Sequence, residues 1–547
     1  MDSRVKQLIS QGDYGWSNRK SLDSFWQEAS ENFYPERADF TTMRYLGQDF
    51  AANLTTSYPL IARRELANAV STMLRPRGEE WFKISVQDED SLGFASKQWL
   101  ERATSTQRGY VLNKNSQFVR ASKECDNDFV TFGQAVKMVE PNRNFDGLLY
   151  RTWHLRDCVW FENADGIADE IHRKWTPTAR ELSMIFRDKI HPKVKRMLEK
   201  EPMKKVQIRH IMIPTEHYQS NDGAKKKRQP FCSIFLDIEN EHIMEDVGSW
   251  QFKYIIPRWQ TVSGSQYAYS PAVVAALPDA RLIQAMTFTL LEAGEKAVNP
   301  PMVGTQDALR SDVNTYAGGI TWVDYAYDEK MGEALRPMTI DKSGLGYGID
   351  IRDDTKMMIA EAFFLNKLSL PFTGKEMTAY ESAQRVQDYI RNALPLFEPI
   401  EQEDNAATQE MTFDILLRAG AFGPQDDIPD ELRGREIEFK FKSPLTENYG
   451  RKKGQKFLEA KALLASAAEM DASVRYMIDA KTALRDALEG VETPLKWLNT
   501  PEQVAALAEQ DVQKQNAAQV IEQMQAGGMA AEQMGKAGIA LKEAQAI

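Results

Sequence analysis

The chain has 547 residues, which predicts more than one domain and ample core. Its 42% hydrophobic and 27% charged residues are ordinary for a soluble globular protein, and no run of about eighteen apolar residues is present to cross a membrane. The 68 Lys and Arg against 79 Asp and Glu leave a net charge of −11, which excludes a generally basic DNA-gripping surface but not a protein that encloses DNA. Cys125, Cys158 and Cys232 are odd in number and widely spaced, so they read as reduced structural cysteines and not as a disulfide framework or zinc site. The opening MDSRVKQLIS lacks the apolar centre of a signal peptide, and the expectation is a soluble chain made in a cytoplasm.

Residues 21–33 place Leu22, Phe25, Trp26, Ala29 and Phe33 on one helical face, ended by Tyr34 and Pro35. Ala62, Leu66, Ala69, Val70 and Met73 form a second face, closed by Pro76 and Gly78; WFKISV at 81–86 then reads as a strand. Thr178 and Glu181 make a capping-box pattern that opens a helix through Phe186. Residues 206–213 and 231–238 read as strands, separated by the basic run Lys225, Lys226, Lys227 and Arg228. That run is either a contact for nucleic acid or an acidic surface, or a solvated hairpin tip.

The stretch 257–301 is the most informative. A Gly/Ser/Tyr-rich turn leads to Ser270 and Pro271, which suit the start of a helix. Pro278 is expected to restart or kink it. Ile283, Met286, Leu290, Ala293 and Ala297 continue one apolar face until Asn299, Pro300 and Pro301. Such a helix is about 40 Å long, the length of a strut or ring element. Residues 350–368 read as helical again, apolar nearly all round at 357–365, so that cover is needed on several sides. A loop at 370–377 precedes a helix opened by Thr378 and Glu381. Residues 437–441 alternate as a strand. The chain turns helical after Gly450, with Thr500, Pro501 and Gln503 as another helix start and an Ala/Gln/Met-rich tail beyond.

Motifs for chemistry are missing. No phosphate loop, H-E-x-x-H or G-x-S-x-G pattern occurs. Two acidic groups, Asp126 with Asp128 and Asp353 with Asp354, have the composition to hold a divalent ion, but helix-start charge or solvated surface is the commoner role. The expectation is a structural part, not an enzyme, with no cofactor.

Arg258 and Trp259, Gly264, Ser270 and Pro271, and Ala276-Leu277-Pro278-Asp279 resemble, in that order, the portal (head–tail connector) proteins of podovirus-type bacteriophages. So do LANAVSTMLRPRGEEWFKI, Ser116-Gln117-Phe118, Phe132-Gly133-Gln134-Ala135-Val136, and Met377-Thr378-Ala379 with Glu381 and Arg385. Departures are Ala268 where glycine is usual, Tyr380 where a smaller residue is usual, and Thr446-Glu447-Asn448 after the Ser443-Pro444-Leu445 that follows the strand.

The resemblance implies a predominantly helical α+β portal fold assembled as a ring, usually a dodecamer, at one capsid vertex of the virion. It implies a wing at 1–269, a first stem helix at 270–299, a clip at 300–348, a second stem helix at 349–368 and a tunnel loop at 369–377. A return through the wing at 378–449 and a helical crown and tail at 450–547 complete it. The channel would pass double-stranded DNA, with Lys367, Phe372, Thr373, Gly374, Lys375 and Glu376 as its candidate lining. Lys367 and Lys375 are expected either to touch the DNA backbone weakly or to lie at subunit contacts. Implied partners are the terminase large subunit, tail adaptor or nozzle proteins, and major capsid and scaffolding proteins, with no membrane. The competing reading is a non-channel head–tail adaptor or capsid scaffold; a nuclease using Asp353 and Asp354 is a distant third.

Overall fold

A computed structural model describes residues 3–218, 228–304, 343–368, 397–441, 454–465, 479–491 and 502–514, less positions 46, 53, 77 and 455, with short pieces between 309 and 338 and between 493 and 500. The fold is α+β. In chain order the elements begin with helices α1 (Ser3–Asn18), α2 (Lys20–Phe33) and α3 (Tyr58–Leu74), strand β1 (Phe82–Val86), and helices α4 (Phe94–Val111) and α5 (Phe118–Phe132). Then come β2 (Val136–Pro141), β3 (Leu148–Trp153), β4 (Cys158–Glu162), β5 (Ala168–Trp175), α6 (Ala179–Phe186) and α7 (Pro192–Lys200). They are followed by β6 (Ile208–Pro214), β7 (Phe231–Asp237), β8 (His242–Ser249), β9 (Tyr254–Ile255), β10 (Gln260–Thr261) and β11 (Ala268–Tyr269). The long helix α8 (Pro271–Val298), β12 (Met302–Gly304), β13 (Leu335–Pro337), α9 (Ser343–Ala362) and α10 (Leu365–Leu368) come next. A π-helical turn (Glu401–Ala406), α11 (Ala407–Arg418), β14 (Ile437–Phe441) and α12 (Ala480–Gly490) complete the set.

The chain divides into two units, one formed by 1–82, 105–423 and 441–445 and the other by 83–104, 424–440 and 446–547. In the larger unit β4 to β8 make an antiparallel sheet in sequence order, and β3-β2-β9 make a smaller one. The capping box opens α6 as expected, Thr178 accepting from Glu181 N and Glu181 reaching back to Thr178 N at 2.8 Å. α1 has no counterpart in the sequence reading. It buries Val5 and Leu8, but also Gly12 and Gly15. A Cβ on Gly15 would lie 2.6 Å from Val159 Cγ2, and one on Gly12 2.7 Å from Arg209 Nη1. Half of its contact stripe is therefore glycine, which is used for close approach and carries no apolar signal.

The main core joins Ala29 and Phe33 of α2, Leu66 and Val70 of α3, Phe129 and Val130 of α5, and Ala276 and Ile283 of α8, with Ile359 of α9 and Phe363 just beyond it. Beneath it lies a buried charge network. α5 carries Asp126, Asn127 and Asp128 in succession, and each takes a different arginine: Arg75, Arg63 and Arg37. The first and third are interior ion pairs, which corrects the expectation of a metal-holding, helix-start or solvated acidic group. The other acidic group differs: Asp353 bonds Arg352 and Lys356 on the exposed side of α9.

The π-helical turn supplies Asp404, bonded by Lys137 and by Arg75 at 2.9 Å, and Asn405, which accepts from Arg75 at 2.9 Å. The wider i→i+5 turn is rare, and here it lets two consecutive side chains reach one guanidinium. Burial alone raises the Asp404 carboxyl, but Lys137 and Arg75 outweigh it and hold the group below its ordinary value. Asp126 has Arg75 and the like charge of Asp404 nearby, so burial dominates and pushes it up. Replacing Lys137 by Met leaves Asp404 short of one partner in an apolar interior. It is expected to cost about 3 kcal/mol in urea unfolding.

In the smaller unit, β1 pairs with β14 and Glu89 ties them. It accepts from Lys83 at 2.5 Å, Lys440 at 2.7 Å and Ser85 at 2.8 Å. Thr500 and Gln503 form the expected reciprocal pair, N to Oε1 at 3.1 Å and N to Oγ1 at 3.2 Å. Burial raises Glu89, but the bonds from Lys440 and Lys83 prevail and set it at about 2, against an ordinary 4.5. A depressed carboxylate stabilises the fold fully above its unfolded value, and that stability is lost as pH falls through the folded one. Unfolding followed from about pH 5 to about pH 2 is expected to show a loss of stability that is smaller in Glu89→Gln.

Candidate functional site: the projecting helix pair and its seat

Ser270 caps α8 by accepting from Val273 N at 3.2 Å and donates to Val130 O at 2.6 Å. Pro271 stands at the first helical position, where its missing N–H costs nothing. The helix runs through Pro278 without ending. The carbonyl that Pro278 leaves without its helical donor belongs to Val274, an exposed residue. At 28 residues α8 is about 42 Å long.

The seat of α8 is built from the sequence motifs. Gly133 ends α5 with φ +76, and a Cβ there would lie 2.1 Å from the Tyr269 carbonyl carbon. Gly133 O accepts from Trp259 N at 2.8 Å, and Trp259 stacks on Phe129 with ring centroids 5.3 Å apart. Gln134 Oε1 accepts from Ala268 N at 2.9 Å. The Arg258 side chain pairs with Glu162 and donates to Gly166 O at 3.1 Å, while its backbone N–H donates to Glu403 of the π-helical turn at 2.5 Å. Further along α8, Gln284 clasps a loop: Thr55 N and Thr56 N donate to its Oε1 at 2.8 and 3.0 Å, and its Nε2 donates to Thr56 O at 3.0 Å. This clasp gave no sequence signal, because a glutamine on a helix is commonplace and its partners lie more than two hundred residues away.

Beyond Ile283 the helix leaves the core. Phe288 and Leu291 are 54% and 58% exposed, and Val298 stands free at the end. α9 returns alongside it: Gly348 lies against Leu290, where a Cβ would meet Cδ2 at 2.7 Å, and Ile359 re-enters the core. The sequence expected this helix over 350–368. It starts earlier, at Ser343, and breaks after Ala362, where Phe364 takes φ +58 before α10 begins. Met357 and Met358 are exposed, so the cover expected for 357–365 reaches only one side. α8 is, among the described residues, the one helix long and apolar enough to cross a membrane. Its first half is nonetheless packed in protein.

Of the candidate channel residues, Lys367 lies on α10, with its side chain outside the described residues. Phe372, Thr373, Gly374, Lys375 and Glu376 also lie outside them, as do the capped helix expected from Thr378 and the basic run except for Arg228. A cleft of about 1320 Å³ opens between the end of the larger sheet and α11, walled by Phe231, Phe252, Ile256 and Met411. The charges there include Arg258 and Glu403, 3.9 Å apart and held in the seat just described. The three cysteines are buried and form no disulfide; burial pushes Cys158 up to about 12, which keeps it an inert thiol.

The seat predicts a sharp response to small changes. Gly133→Ala combines a left-handed φ with a backbone clash and is expected to cost about 3 kcal/mol in thermal unfolding. Ser270→Ala, which loses a cap, is expected to cost about 1 kcal/mol.

Phage proteins named as portal proteins are similar to this chain over most of its length. A "Probable portal protein" of Bordetella phage BPP-1 is 24% identical over 453 residues, covering 81% of this chain and 79% of the relative. The "Portal protein" of Salmonella phage epsilon15 is 21% identical over 459 residues, covering 82% and 80%. Among solved structures, a chain of the virion of a native gene transfer agent particle aligns over 81% of this chain and 94% of its own, with 10% identity and a TM-score of 0.34. The family described as bacteriophage head to tail connecting protein matches residues 5–498, and the chain belongs to that family.

Proposed function

We propose that copies of this chain close into a ring, the portal at one capsid vertex, through which the genome is packaged and later ejected. Family membership supports the reading, and the α8–α9 pair is the observation that carries it. A helix pair with a buried root and exposed apolar outer side chains needs cover. Each subunit offers one face to its neighbour on one side and a different face on the other, and such heterologous contacts close when the rotation permits. Covering a side chain such as Phe288 or Leu291 contributes about 2 kcal/mol. Repeated around a ring, this is enough to hold it.

In this reading α8 and 349–368 are the stem, 300–348, which includes the first residues of α9, is the clip, 369–377 with Lys367 and Lys375 faces the duplex, and 450–547 forms the crown. Twelve copies is the expected number. The clip meets the terminase motor during packaging and tail components afterwards, with capsid and scaffolding proteins around the wing. The chain itself contributes no catalysis; the motor supplies the energy. Assembly takes place in the host cytoplasm, and the finished ring stays in the virion.

Electron microscopy of the purified protein tests this. Closed rings with a hole wide enough for duplex DNA are expected. A monomer or open filament that persists at high protein concentration would sink the proposal. Phe288→Glu with Leu291→Glu, both on exposed positions, is expected to leave a folded chain that no longer closes rings.

A further inference from the structure

We infer that the α6–α7 pair is a docking surface for the phosphate backbone of double-stranded DNA, separate from the α8–α9 pair. Between Arg180 and Lys205 there are nine Lys and Arg against four Asp and Glu, in a chain whose net charge is −11. All nine cations are exposed. Three are neutralised, Lys189 by Glu245, Lys195 by Asp188 and Lys204 by Glu201. Glu181 is occupied in the cap of α6. The remaining six, Arg180, Arg187, Lys193, Arg196, Lys200 and Lys205, have no carboxylate within ion-pair distance among the described residues.

These charges sit on a rigid base. Leu182 and Phe186 of α6 and Val194 of α7 pack with Ile190, Val206, Ile208 and Met244 beneath them. On α7, Lys193, Arg196 and Lys200 follow at steps of three and four, one stripe outside the face that Val194 and Met197 turn inward. The β2–β3 turn adds a further cation: Arg143 Nη2 donates to Met184 O at 3.3 Å and remains exposed. Beside it the same turn holds Phe145 at φ +58 and 85% exposed, a conformation bulky residues rarely adopt.

A fixed stripe of unpaired Lys and Arg gains most from a regular polyanion, because every neutralised phosphate releases counterions. An acidic protein surface is the other polyanion such a stripe can meet. The regular spacing, and six cations without an ion-pair partner among the described residues, favour phosphate. The choice of double-stranded DNA as its source rests on the portal reading.

The test uses the full-length protein and a short fluorescent duplex, with anisotropy measured over a salt series. Lys193→Gln/Arg196→Gln/Lys200→Gln is compared with Lys6→Gln/Lys114→Gln/Lys123→Gln, which removes the same charge from exposed positions elsewhere. The first is expected to bind about tenfold or more weakly, with the salt slope smaller by about 3, while the second keeps native affinity. Lys193→Arg/Lys200→Arg is expected to bind like the native protein, because the charge is kept, and a thermal unfolding midpoint of the Gln triple variant equal to that of the native protein excludes a folding defect. Equal losses in the two triple variants, or no duplex binding by the native chain, overturn the inference. So does patch-dependent binding of fluorescent polyglutamate without duplex binding, which assigns the surface to an acidic protein. Micrographs of the same samples separate the two proposals. Rings whose duplex binding ignores the patch overturn this inference and leave the portal reading standing. Patch-dependent binding by a chain that never closes rings does the reverse.

Discussion

One backbone-on-backbone contact sets the geometry of this protein. At Gly133 the end of α5 touches Tyr269 and Ser270 so closely that no side chain fits between them. Because Ser270 both caps α8 and donates to Val130 O of α5, the long helix starts at a defined point and leaves the core in a defined direction. Gln134, Arg258 and Trp259 surround the contact and tie it to β11, the β4–β5 turn, the π-helical turn and α5. A helix about 42 Å long multiplies any tilt at its root, so tight seating matters more here than in a helix buried throughout.

The second constraint is electrostatic. Arg75, Asp126, Lys137 and Asp404 are drawn from the C-terminal cap of α3, from α5, from β2 and from the π-helical turn, and all are buried. Such a set adds little net stability compared with apolar packing, since desolvation offsets most of the attraction. It is selective, however: a shifted register of any contributor leaves a buried charge unmatched. This role fits the position of Asp404 and Asn405 on a π-helical turn, where two neighbouring side chains must converge on Arg75.

The surface divides by chemistry. The outer parts of α8 and α9 carry exposed apolar side chains such as Phe288, Leu291, Met357 and Met358, as a face covered by another copy would, and the α6–α7 pair is basic on an acidic chain. The first calls for contact between like subunits and the second for a polyanion. In the portal reading, a ring that lets DNA slide and a patch that holds a phosphate backbone have opposite requirements, because tight phosphate binding would hinder sliding along a channel.

Local patterns in the sequence determined the elements whose signals are local. Ser270 with Pro271 marked the start of α8, Thr178 with Glu181 opened α6, Thr500 with Gln503 formed its reciprocal pair, and period-two alternation placed β14. The ordered motifs also pointed to the family. What they did not show is why the motifs exist: Gly133, Arg258, Trp259 and Ser270 are far apart in the chain and acquire a purpose only where they meet. α1 escaped notice because glycines make half of its contact face, and the true limits of α9 because its exposed and buried halves dilute any single periodicity. The acidic run of α5 read as surface because sequence cannot reveal that three arginines from elsewhere converge on it. Hydrogen bonding along the backbone and apolar periodicity act over a few residues and can be read in order. Close approach, charge pairing and burial are properties of surfaces brought together by the fold, and only the tertiary structure decided them.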